Sequence, residues 1–269
     1  MITSLSNESI KTIRKLRDRK YRDATGTAYV EGVRQVVEAL QQGVMIDKLI
    51  LSEDFLRTLN DESIKNLVEK SNTTLLTVSN EVFRSFSLKE GPKGIVAIIY
   101  QKWVQLSEIC NLHGIWVCLW EIADPGNLGT IIRTMDAVGA KGVILVGNCT
   151  DPYDPVAIRA SMGGIFTKTL VKSSLTELIA AVEHHKIPIF GTSDSGGLYY
   201  RDVNYPENMI LVMGSERQGI PQEISKLCNA MVGLPMTGVC DSLNLAVATG
   251  VILYEIFDQH NILTRNKIK

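Results

Sequence analysis

Three short stretches of this chain combine small polar side chains, glycines and the starts of apolar helices. The last of them, Leu234 to Ala248 (LPMTGVCDSLNLAVA), turns through Pro235 and Gly238, then presents Asp241, Ser242 and Asn244 where a helix-spaced apolar run begins. Short polar side chains at a helix start satisfy some of its orphaned N–H groups, and the donors left over can hold a polar ligand. The second stretch, Leu211 to Pro221 (LVMGSERQGIP), ends an apolar strand at Met213 and Gly214 and sets Glu216 and Gly219 in a turn. Gly-rich turns after parallel strands admit nucleotide-like ligands. The third, Ala123 to Ala140, makes a loop of Asp124, Pro125 and Gly126 and leads through Asn127 into a helix carrying Arg133. A guanidinium emerging near a helix start can clamp a phosphate. Alone, each stretch also describes an ordinary capped helix or tight turn.

Two familiar nucleotide signatures are missing. The second stretch is not GxxxxGK[ST], and no GxGxxG opens an early strand–turn–helix unit, which argues against a P-loop and against a nicotinamide-type oxidoreductase. His113, His184, His185 and His260 follow no metal-ligand spacing, so no metal is expected.

The elements that must position these residues read as α/β. Continuous apolar runs at Ile115–Trp120, Gly142–Val146, Ile187–Gly191, Met209–Met213 and Ala230–Leu234 suit parallel strands covered on both faces. Helical spacing lies between them, at Leu128–Val138, Val156–Met162, Leu175–His185 and Pro221–Cys228. Leu243, Val247, Val251 and Tyr254 are expected to form the buried stripe of a long last helix.

Upstream, strand signals at Ala28–Glu31, Lys48–Leu51, Thr74–Val78 and Gly94–Tyr100 alternate with helical patterns from Val33 to Gly43 and from Asp61 to Lys70. That describes a separate α/β unit over 1–100, joined by a connector at 101–113 containing Trp103, Ser107 and Asn111 to a further domain at 114–269. The first residues carry a cluster of cations: Lys11, Arg14, Lys15, Arg17, Arg19, Lys20 and Arg22, with Ile10, Ile13 and Leu16 as a narrow apolar face. It reads either as a solvated amphipathic helix or as an arm that displaces counterions from a nucleic-acid backbone.

The bulk numbers narrow the classes. With 269 residues, net charge −1 and 45% hydrophobic residues, the chain can bury one large or two modest cores, and any polyanion must be met by a local patch. Five cysteines at 110, 118, 149, 228 and 240 make no CxxC pair, which fits free thiols in a reducing compartment. No apolar run approaches the ~18 residues of a membrane span, so a soluble cytoplasmic protein is expected.

Taken as a set, NxGxxxR, GxExxG and PMxGxxxSLNLAVA resemble the SpoU (TrmH-like) 2′-O-ribose RNA methyltransferases of the SPOUT superfamily, over about 130 residues from Ala123 onward. Asp151 to Phe166 (DPYDPVAIRASMGGIF) is similar to the segment between this family's first two motifs, and Leu245 and Ala246 stand where many members have Val and Ser. Arg19 to Leu40 resembles the L30e/L7Ae-like RNA-binding domain of many ribosomal-RNA members, and the layout is similar to the thiostrepton-resistance group.

The resemblance implies a C-terminal trefoil knot, a homodimer packed through it, and S-adenosylmethionine as cofactor. Carried over by motif, Gly214, Leu234 and Leu243 contact the cofactor, Met213 and Met236 are neighbouring walls, and Thr192 is added from the loop after the third strand. Asn127, Arg133, Glu216, Ser242 and Asn244 form the polar catalytic set, and Arg14, Lys15, Arg17, Arg19, Lys20 and Arg22 the RNA-binding one. Guanidinium hardly deprotonates, so Arg133 is expected to stabilise a developing 2′-oxyanion and anchor a phosphate rather than act as a base. Glu216 is expected to order its loop or an arginine. Ribosomal RNA, of the 23S type, is the expected substrate. Transfer RNA and a non-catalytic RNA-binding module are the alternatives.

Overall fold

The computed structural model describes residues 1–58, 62–70, 73–89, 91, 94–109, 112–194 and 196–261. It divides into two compact units, each built from two stretches of sequence: Met1–Lys102 with Asp151–Thr167, and Trp103–Thr150 with Lys168–Lys269.

The first unit opens with α1 (Glu8–Lys15), started by Asn7, whose side chain accepts from the Ser9 amide. Ile10, Ile13 and Leu16 recur at i, i+3 and i+6, so one stripe of α1 faces inward, and all three are buried in a cluster with Val82, Phe83 and Phe86. There follow α2 (Arg19–Thr25), β1 (Thr27–Glu31), α3 (Val33–Gln41), β2 (Ile46–Ser52), α4 (Glu53–Thr58), α5 (Glu62–Lys70), β3 (Thr74–Val78), α6 (Asn80–Phe86) and β4 (Ile95–Tyr100). The sheet runs β1-β4-β2-β3, with β4 antiparallel to both its neighbours and β3 parallel to β2. The alternation expected over the first hundred residues is thus present as a mixed sheet. Asp61, the expected start of α5, lies outside the described residues, as do Cys110 and Asn111 of the expected connector.

One cation of the basic cluster departs from expectation. Arg22 is 1% exposed. Its Nε and Nη2 both lie 2.8 Å from Asp151 Oδ2, Nη2 reaches Asp154 Oδ2 at 3.5 Å, and Nη1 donates to the Leu16 and Arg17 carbonyls at 2.9 Å. A guanidinium with this many internal acceptors has no donor left for a phosphate, so Arg22 leaves the RNA-binding set. It is an anchor for the segment 151–167 instead. Tyr153 assists: its hydroxyl accepts from the Lys102 amide and donates to the Lys102 carbonyl.

The second unit contains β5 (Val104–Gln105), β6 (Ile115–Trp120), α7 (Pro125–Ala137) and β7 (Gly142–Val146). After β7 the chain contributes α8 (Pro155–Ser161) to the first unit, then returns as β8 (Thr169–Ser173), α9 (Leu175–His185), β9 (Ile189–Thr192), β10 (Leu198–Tyr199), β11 (Met209–Met213), α10 (Gln222–Ser225), β12 (Ala230–Gly233) and α11 (Leu245–His260). The sheet order is β10-β12-β9-β11-β6-β7-β8-β5, and every pairing is parallel. Every residue of β7 and β11 is buried, as strands covered on both faces require. β5 lies within the stretch expected to be a connector, where it forms one edge of the sheet.

The last helix turns a different face inward from the one expected. Leu245, Ala246, Thr249, Ile252, Leu253 and Ile256 are buried, whereas Val247 and Tyr254 are each 52% exposed and Leu243, which precedes the helix, is exposed too. The cause is visible in the sequence: α11 is apolar nearly all round, so two faces satisfy the same i, i+3/i+4 spacing. Only the packing partners choose between them.

Candidate active site

The carboxyl ends of three adjacent parallel strands, β12, β9 and β11, open onto a cavity of about 560 Å³. Outside the carboxyl ends of such strands is where open α/β sheets bind ligands. Thr192 ends β9, Met213 and Gly214 end β11, and Leu234 follows β12; all four line the cavity, together with Met236 and Leu243. The six residues expected at the cofactor therefore converge. Thr192 commits its hydroxyl to the Val212 carbonyl, which leaves backbone groups at this wall.

The GxExxG spacing has a steric reason. A Cβ at Gly214 would lie 2.2–2.5 Å from the backbone of Gly219 and Ile220, and Gly219 itself has φ +65°. Those two glycines let Ser215 and Gly219 exchange backbone hydrogen bonds at 3.2 and 2.9 Å, closing a tight turn. The turn presents Glu216 at the cavity rim.

Glu216 meets two of the other polar residues there. Asn127 Nδ2 donates to Glu216 Oε1 at 2.9 Å, and Asn244 Nδ2 donates to Asn127 Oδ1 at 3.0 Å. Asn244 also caps α11, its Oδ1 accepting from the Ala246 and Val247 amides at 2.9 and 3.3 Å. The direction of every bond follows from that cap. Backbone amides can only donate, so Asn244 must offer them its oxygen and turn its NH₂ to Asn127. Asn127 must then turn its NH₂ to Glu216, which is left as acceptor. The chain of amides runs with one polarity from a helix end to a carboxylate. At the other end, Asp124 caps α7 by accepting from the Asn127 amide at 2.6 Å.

Ser242 lines the cavity and donates to Asp241 at 3.3 Å. Arg133 stands apart. It is exposed and does not line the cavity, because six residues along a helix place it about 120° around the axis and about 9 Å along it from Asn127. Asp194 was not anticipated from sequence; with Asp241 and Glu216 it completes a set of three carboxylates in the wall. No basic side chain is among the described residues that line it. That balance suits a cationic ligand and disfavours a pyrophosphate, which removes the physical basis for a dinucleotide.

Residues 114–254 match the model of the SpoU rRNA Methylase family. The chain belongs to that family. Residues 7–97 match another model, the MRM3-like substrate binding domain. Among related sequences is the 23S rRNA (guanosine(2553)-2′-O)-methyltransferase RlmP of Bacillus subtilis, 27% identical over 95% of this chain and 98% of its own length. The 23S rRNA (uridine(2479)-2′-O)-methyltransferase of Streptomyces viridochromogenes is 30% identical over 91% and 87%. The crystal structure of an AdoMet-bound rRNA methyltransferase from Sinorhizobium meliloti superposes with a TM-score of 0.87 and 34% identity, covering 96% of this chain and 97% of that one.

A SpoU methylase uses S-adenosylmethionine, and this cavity fits it. The methionine-lined, carboxylate-bearing wall suits a sulfonium, and the volume lies within the range of about 300–1,000 Å³ usual for small-ligand sites. No group of His, Cys, Asp and Glu suited to a metal occurs among the described residues, and no described helix is long and apolar enough to cross a membrane.

Proposed function

We propose that this chain methylates the 2′-oxygen of a ribose in ribosomal RNA of the 23S type, acting in the cytoplasm. The observation that carries the site assignment is the meeting of Asn127, Glu216 and Asn244 beside a cavity lined by Gly214, Leu234, Leu243, Met213, Met236 and Thr192. S-adenosylmethionine, when bound, supplies an electrophilic methyl on a good, neutral leaving group. The residues of the chain need only align a hydroxyl and make it more nucleophilic. Ser242, Asn244 and Asn127 position the ribose and its phosphate. Glu216, held as a hydrogen-bond acceptor by Asn127, fixes the rim turn. Arg133 stabilises the developing 2′-oxyanion and anchors the neighbouring phosphate.

Arg133 reaches the reacting centre in this reading from another copy of the chain. The exposed apolar stripe of Leu243, Val247 and Tyr254 supports a homodimer, since such a face is normally covered. A trefoil knot is part of the same proposal. It is supported by the strand order: β9 is laid down one strand away from β6, and β11 later fills the gap. The division into a recognition part at 1–100, a connector at 101–113 and a catalytic part at 114–269 is supported by the matched stretches 7–97 and 114–254, with 151–167 as an excursion into the recognition unit.

Mass-spectrometric mapping of 2′-O-methyl groups on 23S rRNA, from cells with and without the gene, tests the reading. One site lost on deletion and restored in vitro by the purified protein with S-adenosylmethionine is the expected result. A site lost from transfer RNA instead would redirect the substrate. Calorimetric titration with no heat on adding S-adenosylmethionine would reduce the chain to a binding module.

A further inference from the structure

The first unit sorts its cations into two kinds. Lys11 pairs with Glu8, Arg19 with Asp23, Arg57 with Glu53 and Arg22 with Asp151 and Asp154. Several others, Arg14, Lys15, Lys20 and Arg34 among them, show no carboxylate within ion-pair reach among the described residues; of this second kind, Arg17, Arg84, Lys89 and Arg159 share one neighbourhood.

The loop after α6 brings them together. Arg17 Nη2 donates to the Ser87 carbonyl at 3.2 Å, which lays the α1 end along this loop. Two residues on, Lys89 borders a shallow depression whose other rim carries Arg159 of α8. Lys89 also borders a separate, open depression shared with Arg84. Two carboxylates border the same depressions, Glu31 beside Lys89 and Arg159 and Asp54 beside Arg84 and Lys89, and among the described residues no ion pair joins them to these cations. Glu31 accepts from the Tyr29 hydroxyl, the Ser87 hydroxyl and the Leu88 amide, and Asp154 is held by Arg22 and caps the Val156 amide. Arg17, Arg84 and Arg159 are exposed and Lys89 is half-buried, so these charges are open to a ligand from solvent.

We propose that Arg17, Lys89, Arg84 and Arg159 form a track for the phosphodiester backbone of the RNA substrate, and that α8 serves recognition. The proposal rests on the RNA-methylation reading above and extends its RNA-binding set from Arg17 to Lys89, Arg84 and Arg159. α8 lies inside the stretch matched to the methylase family, yet it folds into the recognition unit, locked there by Arg22 on Asp151. A backbone track needs unpaired, solvent-facing cations that follow a continuous surface, because affinity comes from releasing condensed counterions.

The test is the salt dependence of binding to a protein-free 23S rRNA transcript, measured on the full chain. Arg159→Glu and Lys89→Ala should each weaken binding and flatten the plot of log K against log salt by about 0.7–0.9 per lost contact. Arg57→Ala, whose guanidinium is paired with Glu53, should leave both unchanged. Urea unfolding of the full chain, unaltered in all variants, reports that they fold. Arg159→Glu with wild-type affinity and slope overturns the track while methylation by the wild type continues. A wild type that neither binds nor methylates the transcript overturns the RNA reading and the track with it.

Discussion

Arg22 of the first unit and Arg133 of the second occupy similar settings in the sequence: both sit on helices, each near a cap and a loop. The structure uses them in opposite ways. Arg22 is buried against two carboxylates and two carbonyls, while Arg133 points to solvent from α7. The difference lies in what returns to meet each helix. Segment 151–167 folds back onto α2 and supplies Asp151 and Asp154, whereas the polar turns that converge near α7 engage Asn127 and, among the described residues, give Arg133 no partner. A cation with partners from its own unit is architecture, and one without them is available to a ligand or to another copy of the chain.

Substitutions can break this contrast, beginning with the largest effect. Arg22→Ala strands a buried carboxylate, and removing one partner of such a pair costs about 3–5 kcal/mol, so urea unfolding should show a large loss of stability with little change in residual turnover per folded molecule. Arg133→Ala should do the reverse. Unfolding stays near wild type while methyl transfer falls about 10²–10³-fold, the usual cost of losing an oxyanion donor, and cofactor affinity persists. Wild-type turnover in that variant would sink the assignment.

Asn127→Asp sharpens the reading of the amide relay. It sets a second carboxylate against Glu216 and replaces a donated hydrogen bond with like-charge repulsion, which weakens when either group is protonated. Activity is expected to drop by about tenfold, the order of one lost hydrogen bond to a charged group, and to recover partly as pH is lowered. Asn127→Ser, which adds no charge, should lack that pH dependence.

The smallest effect is a baseline taken from α9. The Glu177 carboxyl is held below its ordinary value of 4.5 by the backbone amide and then the hydroxyl of Ser174. Its contribution to stability is complete above the unfolded value and is lost as pH falls through the lower folded one. Ser174→Ala keeps the amide and removes only the hydroxyl, so it should shrink that segment of the stability–pH curve below about pH 4.5 without erasing it and lower the thermal midpoint only slightly.

Much of the second unit was legible in the sequence because its strands are continuous apolar runs. β6, β7 and β11 announce themselves, and the two glycines of GxExxG mark a turn that tolerates no side chain at one position and requires positive φ at the other. β8 (TLVKS) carries polar residues at both ends, and β5 and β10 are only two residues long, so no run marks them. Their membership of the sheet is decided by neighbours distant in sequence. The buried face of α11 is illegible for a similar reason, since local spacing fits both its faces.

By itself the sequence determined which residues could do chemistry, where helices begin, and that the strands would be parallel and covered, because caps, glycine geometry and apolar periodicity are local properties. Tertiary structure decided which of those residues meet. Asn127, Glu216 and Asn244 are separated by 89 and 117 positions from one another across the bonds they make, and Arg22 lies 129 from Asp151. Contacts of that range depend on the order in which strands take their places in the sheet, and no window of neighbouring residues encodes it.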